Sequence, residues 1–440
     1  MSAMVYDRDS FLAGVAVGRN MKSWPEMKGY GKGFFAFTIK TVAASFTYQF
    51  GIYFGGTIDW GDGTSEDYAY NNFRDRISHV YTDAGIYQIR ITGYVFDVLL
   101  GTTNGTTPRT PSASAARLIS VDTPFPMLQS PYSQATTVNL NYCFASCSNL
   151  TKIPNNLLAN YKSQGLVVTG IANMFASCQK IKKIPKGLFG GLVFSDNLAD
   201  SSNPKYLFSN CRSLEELPED IFSNEVFKRI TTAEGMFTYC TKLQRLPVDE
   251  LPFQSVEDID RLFFYCESLH EVHPDAFKQC QNIRTIDRIF AYSGLRVVPA
   301  GLFKNKTRLV AAEMSFMGAD ELETISEEVF TGCTVMTSAY ACFEACNSLV
   351  SIPSDLFNGC TALASVRECF LRCYALGSVP SSLFLHTPNI TNFASCFYDC
   401  RNITSAVPEL WLSFPNANGN DCYWNCTDAS NYEDIPSAWR

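Results

Sequence analysis

The stretch Phe343-Glu-Ala-Cys-Asn-Ser-Leu-Val-Ser-Ile-Pro353 decides how this chain folds, because its pattern recurs along most of the sequence. An aromatic residue is followed by cysteine, then by two aliphatic residues at three-residue intervals, and then by proline. From the fourth copy onward, successive copies start 26 or 27 residues apart. The aromatic residues that mark the copies are Phe144, Phe175, Phe208, Phe237, Phe263, Phe290, Phe316, Phe343, Phe370, Phe397 and Tyr423.

A fixed period of this length is typical of a stacked repeat protein. The apolar residues recur every third position, in runs that are too short and too irregular for long helices. One copy cannot bury its own apolar side, so burial must come from stacking copies into a continuous core. We therefore expect residues 118–440 to form a solenoid of about eleven repeats with terminal caps. The predicted fold class is mainly β with short helical turns.

The repeat resembles the cysteine-containing leucine-rich repeats of bacterial surface proteins, both the BspA-like type and the related 26-residue surface-protein repeat. The resemblance covers residues 118–440, about three quarters of the chain. It implies a leucine-rich-repeat-type solenoid that serves adhesion and recognition of varied partners.

The region in front of the array has a different pattern. Ile58-Asp-Trp-Gly-Asp-Gly-Thr64 reads as a strand entering a tight turn, and Ile86–Thr92 as an alternating strand. Together with His79-Val-Tyr81, these residues resemble the PKD family of immunoglobulin-like β-sandwiches, which implies a spacer or adhesion module over residues 33–100. The Gly/Ser/Thr/Pro-rich residues 101–117 are predicted to be a linker.

The acidic residues of that region, Asp59, Asp62, Glu66 and Asp67, raise the alternative of a calcium site. Their spacing is not that of an EF-hand loop, and turn chemistry already explains Asp62-Gly63. We predict no metal here.

The seventeen cysteines fall mainly in two columns of the repeat, headed by Cys143 and Cys147. Pairs four residues apart raise the alternative of zinc binding, and neighbouring coils could form disulfides. In the first column, however, cysteine exchanges with Met174, Leu207 and Ile289. A ligand position would not tolerate that exchange, whereas a buried apolar position would. We therefore predict that the cysteines pack as small hydrophobic residues.

No part of the sequence predicts an enzyme. Nucleophile-elbow, phosphate-loop, kinase and zinc-protease motifs are absent from it. His270 and His273 lack further ligands for a metal site, and no cofactor is expected. The 35 basic and 43 acidic residues give a net charge of −8, which disfavours nucleic acid as a partner. No apolar run is long enough for membrane insertion.

Residues 1–32 are predicted to be a docking segment. The acidic residues around Arg8 argue against a secretion signal, and residues 6–24 resemble the starts of phage tail or head-associated proteins. This resemblance implies a bacteriophage virion protein (fibre, decoration or receptor-binding) on the virion surface, bound to other virion proteins. The alternative is a bacterial cell-surface adhesin; a homo-oligomer is also considered. The docking residues would be Phe11, Leu12, Val15, Val17, Met21 and Trp24.

The two residues between the aliphatic positions of each repeat should face solvent. Because they vary down the array while the core positions repeat, we predict that they form the contact surface for a host surface protein or glycan; the alternative is that they are merely solvated. The candidate ligand residues are Lys182, Lys183, Glu215, Glu216, Gln244, Arg245, His270 and Glu271.

Overall fold

The structure is a computed structural model that describes residues 34–68, 77–101, 112–128, 136–196 and 204–440. The predicted docking segment, residues 1–32, lies outside them. Residues 34–440 belong to one compact unit.

Six strands form a sheet at the front of this unit. The sheet order is β3-β2-β5-β1-β6, with β4 on the first half of β2, and all pairs are antiparallel. Aromatic and β-branched residues, which favour strands, supply a buried interior that includes Phe37, Phe50, Trp60 and Tyr81. The strands are β1 (Phe34–Lys40), β2 (Phe46–Asp59), β3 (Ser65–Tyr68), β4 (Ile77–Tyr81), β5 (Ile86–Leu99) and β6 (Leu118–Val121).

Strand β6 belongs both to this sheet and to the repeat array. Ser120 pairs with Thr38 of β1 in antiparallel register and forms a parallel bridge to Lys152 of the first repeat. The amide of Val121 donates to the carbonyl of Lys152 at 2.9 Å. One hydrophobic core accordingly continues from the front sheet into the array, and the predicted boundary at residue 118 runs along a shared strand.

The predicted linker is shorter than its composition indicates. Residues 102–111 lie outside the described part, but helix α1 (Ser112–Ala115) packs against the front sheet. The hydroxyl of Ser114 accepts a hydrogen bond from the amide of Gln49 at 3.0 Å, and Ala115 is buried. The small residues Ser114 and Ala115 allow a close approach of helix and strand.

The array itself contains few regular elements, as the short apolar runs predict. Strands β7, β8 and β9 form one parallel sheet, and β10 and β11 form another. Elsewhere single parallel bridges join successive coils. The elements are β7 (Thr137–Asn139), α2 (Ala159–Gln164), β8 (Val167–Gly170), β9 (Val193–Phe194), α3 (Val226–Arg229), β10 (Val297–Val298), β11 (Thr324–Ile325), α4 (Leu410–Ser413) and a 3₁₀ turn (Tyr432–Asp434).

The aromatic residues that mark the repeat stack into one column inside the array. From Phe144 to Tyr423, successive ring centroids lie 5.0–5.8 Å apart and the rings are close to parallel. A second phenylalanine column, from Phe277 to Phe384, has spacings of 5.2–6.0 Å. Each ring is covered by its neighbours in the stack, so burial depends on neighbouring repeats.

The turn around each marker aromatic has an unusual backbone. The residues two before and two after the aromatic have positive φ in all eleven repeats, although most are not glycine, as at Arg261 and Tyr265. This left-handed conformation costs about 1–2 kcal/mol for other residues. In the first ten repeats it is stabilised because the amides of these residues donate to carbonyls of the next coil, as from Arg261 to Asp287 at 2.9 Å.

The C-terminal end of the array is closed by the last residues of the chain described. Trp439 is buried against Gly419, where any side chain would collide with the indole. The carbonyl of Trp439 accepts the amide of Tyr423 at 2.8 Å, and Ile435 is buried. This arrangement satisfies backbone groups of the final coil and covers its apolar edge.

Candidate ligand-binding face

The residues predicted to contact a ligand lie along one side of the array, which we call the ladder face. There the amides of Arg296, Glu323, Val350, Gly377 and Thr404 each donate to the preceding coil, beginning at the carbonyl of His270. Within the earlier repeats, Glu215 donates to Lys182 and Gln244 to Glu215 in the same way. The aliphatic residues that flank these positions are mostly buried. All eight candidate residues, from Lys182 to Glu271, are exposed or half-buried.

The first four candidate residues pair with one another across coils. Lys182 Nζ lies 3.0 Å from Glu215 Oε1, and Lys183 Nζ lies 2.5 Å from Glu216 Oε1. The hydrogen bond and charge of Glu216 raise the pKa of Lys183, and those of Lys183 lower the pKa of Glu216. Both ion pairs are exposed to solvent, where such pairs add little to the free energy of unfolding. The sequence predicted the residues, but not this pairing.

Further along the ladder face the charges are less strictly paired. Gln244, Arg245 and Glu271 are exposed. His270 Nδ1 lies 3.0 Å from the carbonyl oxygen of Gly294 and 3.4 Å from Glu321 Oε2. Glu321 also accepts a hydrogen bond from Arg296 Nε at 3.0 Å. The side chains thus present a mixed polar surface on a regular backbone.

A second ladder on another side of each coil was not predicted. Its backbone bonds run from Thr231 through Glu257, Arg284, Val310 and onward to Asn418. Next to it, acidic side chains tie the coils together: Asp260 Oδ1 accepts the amide of Asp287 at 2.8 Å. Burial raises the pKa of Asp260 to about 6. These carboxylates therefore form hydrogen bonds within the fold. The sequence carried a signal for them, since an acidic residue stands three residues before the marker phenylalanine in four successive repeats, at Glu234, Asp260, Asp287 and Glu313.

The aromatic turn also carries exposed or half-buried tyrosines that the sequence reasoning missed. Tyr239, Tyr265 and Tyr292 stack with centroids 4.7 and 4.6 Å apart. Tyr292 continues over Gly318 of the next coil, where a Cβ would lie 2.4 Å from its ring. The signal was present in three successive repeats, since each tyrosine stands two residues after the marker phenylalanine.

All seventeen cysteines are buried, and none forms a disulfide bond. In the column headed by Cys147, most thiols donate to the carbonyl of the phenylalanine in the preceding coil, at 3.1–3.2 Å, as from Cys346 to Phe316. Burial raises the pKa of these thiols, that of Cys240 to about 12. A protonated, buried thiol is a poor nucleophile, so the geometry fits packing.

In the front region, Asp62 serves the turn in which it stands. Its carboxylate accepts the amide of Thr64 at 3.0 Å and lies 2.7 Å from His79 Nε2. Although burial acts to raise it, these hydrogen bonds lower the pKa of Asp62. The imidazole of His79 stacks on Trp60, with centroids 4.6 Å apart. The motif residues quoted for the PKD resemblance are thus in mutual contact, while membership of that family stays a prediction.

Within the described ranges, no group of three or more His, Cys, Asp or Glu side chains is arranged to hold a metal ion. His270 and His273 contact carboxylates or backbone rather than each other. No described helix is both long and apolar enough to cross a membrane. The docking candidates, from Phe11 to Trp24, lie outside the described residues.

Residues 172–275 and 253–369 match the BspA type leucine-rich repeat region, in six copies. Over these residues the chain is similar to BspA-type leucine-rich repeats. This confirms the leucine-rich-repeat architecture and the mainly β fold class expected from the sequence.

One solved structure similar to this chain is a leucine-rich cell surface protein from Faecalibacterium prausnitzii A2-165. The two are 16% identical, the match covers 71% of this chain and 82% of the other, and the TM-score is 0.30. No curated protein matches the sequence.

Proposed function

We propose that this chain is a non-enzymatic recognition protein of a bacterial cell surface, which presents the ladder face of its BspA-type array to a partner. The observation that carries this proposal is the contrast between a repeated interior and a varied exterior on the same rungs. The ladder face exposes Lys182, Glu215, Gln244 and His270 at equivalent positions. A regular backbone with variable side chains is suited to recognition, as in other repeat proteins.

The virion alternative has less support than the cell-surface interpretation. It was drawn from residues 6–24, which lie outside the described residues, whereas the matched repeats are of the BspA type. Antibody labelling of intact bacteria and of purified phage particles distinguishes the two: we expect label on the bacterial surface. Label confined to phage particles would restore the virion role.

The proposal does not include an enzymatic role. The described thiols are buried, and the half-buried carboxylates of the second ladder are engaged with backbone amides. A catalytic site needs a nucleophile or a base that a substrate can reach. The proposal therefore assigns the chain to binding.

The test reverses charges on the ladder face without breaking its ion pairs. In the variant Lys182→Glu, Lys183→Glu, Glu215→Lys, Glu216→Lys, each cross-coil pair keeps opposite charges. Melting temperature should be unchanged, because exposed substitutions typically cost within about 0.5 kcal/mol. Attachment of the purified chain to a panel of immobilised surface proteins should fall at least tenfold.

The matched control exchanges the charges of another cross-coil pair, Lys304 and Glu328, which are 2.6 Å apart and lie outside the ladder face. That variant should attach like the wild type. If the fourfold variant attaches as well as the wild type, the ladder face is not the contact surface and the proposal fails.

A further inference from the structure

The last coils of the array carry an exposed aromatic cluster on the side of the marker turns. The indole of Trp424 stacks on the ring of Tyr398, with centroids 4.4 Å apart and planes 12° from parallel. Trp424 is 41% exposed and Tyr374 is 37% exposed, although both are large aromatic side chains. Large aromatic surface is costly to leave in water, which makes such exposure informative.

A buried carboxylate fixes the polar side chains of this cluster. Asp399 is 4% exposed and accepts two hydrogen bonds from Arg401, at 2.6 and 2.9 Å. It accepts a third from Asn425 Nδ2 at 2.6 Å. The bonds from Arg401 lower the pKa of Asp399, so the carboxylate stays charged. The guanidinium of Arg401 in turn lies 5.4 Å above the ring of Tyr374.

This arrangement holds the cluster in one conformation before any partner arrives. Arg401 is oriented by the bidentate pair and by the ring beneath it, and Trp424 by its stacking on Tyr398. Side chains locked in this way lose little conformational freedom on binding, which favours affinity. The cluster therefore has the rigidity expected of a binding site.

Arg372 adds a cationic group beside the aromatic rings. It is exposed, faces the carboxylates of Asp399 and Glu344, and forms no ion pair within 4.0 Å among the described residues. Its amide donates to the carbonyl of Tyr398 at 2.8 Å, which places it one coil below that residue. Since coils are about 4.8 Å apart, Arg372 and Trp424 are separated by about two coils.

We propose that this surface, the aromatic patch of Arg372, Tyr374, Tyr398, Arg401 and Trp424, binds a saccharide that carries a carboxylate. The apolar C–H face of a sugar ring packs on the exposed indole, and the carboxylate pairs with the guanidinium of Arg372. The inference rests on the proposed recognition function and names the chemistry of one ligand.

The surroundings of the patch favour a saccharide over a protein partner. Its rim consists of exposed or half-buried polar residues, which can bond to hydroxyl groups: Asn420, Asp421, Asn425, Thr427 and Asp428. A protein–protein hot spot is instead enclosed by residues that exclude water from a packed centre. These polar side chains are better suited to hydrogen bonds with hydroxyl groups than to the exclusion of water.

The test measures binding of the full chain to an immobilised panel of neutral oligosaccharides and oligosaccharides that contain uronic or sialic acid. We expect binding to carboxylate-bearing members. Trp424→Ala should weaken it at least tenfold, because the stacking surface is lost. Arg372→Met, an exposed change that leaves the fold intact, should remove the preference for acidic over neutral members.

Tyr239→Ala provides the matched control, because Tyr239 is 36% exposed and belongs to a different aromatic stack on the same side. It should bind like the wild type. The proposal is overturned if no oligosaccharide binds, if folded Trp424→Ala binds normally, or if Arg372→Met keeps the acidic preference. None of these results affects the ladder-face test, whose variants leave the aromatic patch unchanged.

Discussion

The interior columns and the ladder face occupy the same coils but obey different rules. Along the marker column, every ring from Phe144 to Phe397 is phenylalanine, and the rings repeat at 5.0–5.8 Å. Along the ladder face, equivalent positions change from lysine to glutamate to glutamine. In a packed interior, each change of side-chain volume alters stability. The ladder is formed by backbone amides and carbonyls, which every residue except proline supplies.

The same contrast has an exception inside the second phenylalanine column. There Cys280, Cys333 and Cys360 are interrupted by Lys306, which is 2% exposed. Lys306 Nζ donates to the carbonyl of Phe277 at 2.7 Å, as Cys333 donates to Phe303 at 3.2 Å. The position therefore accepts lysine in place of cysteine because both side chains donate a hydrogen bond to a phenylalanine carbonyl. The buried ammonium group still destabilises the fold.

The largest effect should come from breaking the marker column. Phe343 is fully buried, with its ring 5.0 Å from that of Phe316 and 5.5 Å from that of Phe370. Phe343→Ala should lower the free energy of unfolding by about 3–5 kcal/mol, measured by chemical denaturation. Val350→Ala, on the ladder face and 53% exposed, should stay within about 0.5 kcal/mol. If Phe343→Ala and Val350→Ala lowered the free energy of unfolding by similar amounts, the distinction between the interior column and the ladder face would be wrong.

A smaller, pH-dependent effect should come from Lys306→Met. Burial lowers the pKa of Lys306 below that of an unfolded lysine. The buried charge therefore lowers the free energy of unfolding by its full amount at pH values below the pKa of Lys306 in the folded protein. This destabilisation disappears as the pH rises to the pKa of lysine in the unfolded chain. The carbonyl of Phe277 also accepts the amide of Cys280 at 3.0 Å, so it is not left unpaired. At neutral pH the variant should be more stable by on the order of 1 kcal/mol.

Denaturation at several pH values checks this expectation. The stability difference between Lys306→Met and the wild type should narrow as pH rises above neutral. A difference that is constant with pH, or a less stable variant at neutral pH, would show that the buried charge of Lys306 does not destabilise the folded protein.

The sequence predicted what depends on periodic apolar residues. The spacing of Phe237, Phe263 and Phe290 indicates the solenoid, because stacking requires an apolar residue at each coil. It also indicates that Lys182 and Glu215 face outward, since they lie between buried aliphatic positions. These features are local in each repeat and can be read without knowing which coils touch.

Other features depend on contacts between coils or on a shared strand. The pairing of Lys183 with Glu216 requires the register of two coils, which the spacing of 33 residues alone does not fix. The pairing of coils along the second ladder, as from Asp258 to Thr285, requires the same register. Arginine disfavours the left-handed backbone conformation that Arg261 adopts. A hydrogen bond to the next coil stabilises that conformation. The role of β6 in two regions likewise follows from tertiary contacts.

The central claim is that the array is a stack whose interior columns are buried and whose cysteines are not joined by disulfide bonds. The most direct measurement is alkylation followed by mass spectrometry on full-length protein purified without reductant. We predict that the folded protein takes up almost no label, and that the unfolded, unreduced protein is alkylated at all seventeen cysteines. Extensive labelling of the folded protein, or recovery of disulfide-linked peptides between coils, would contradict the account.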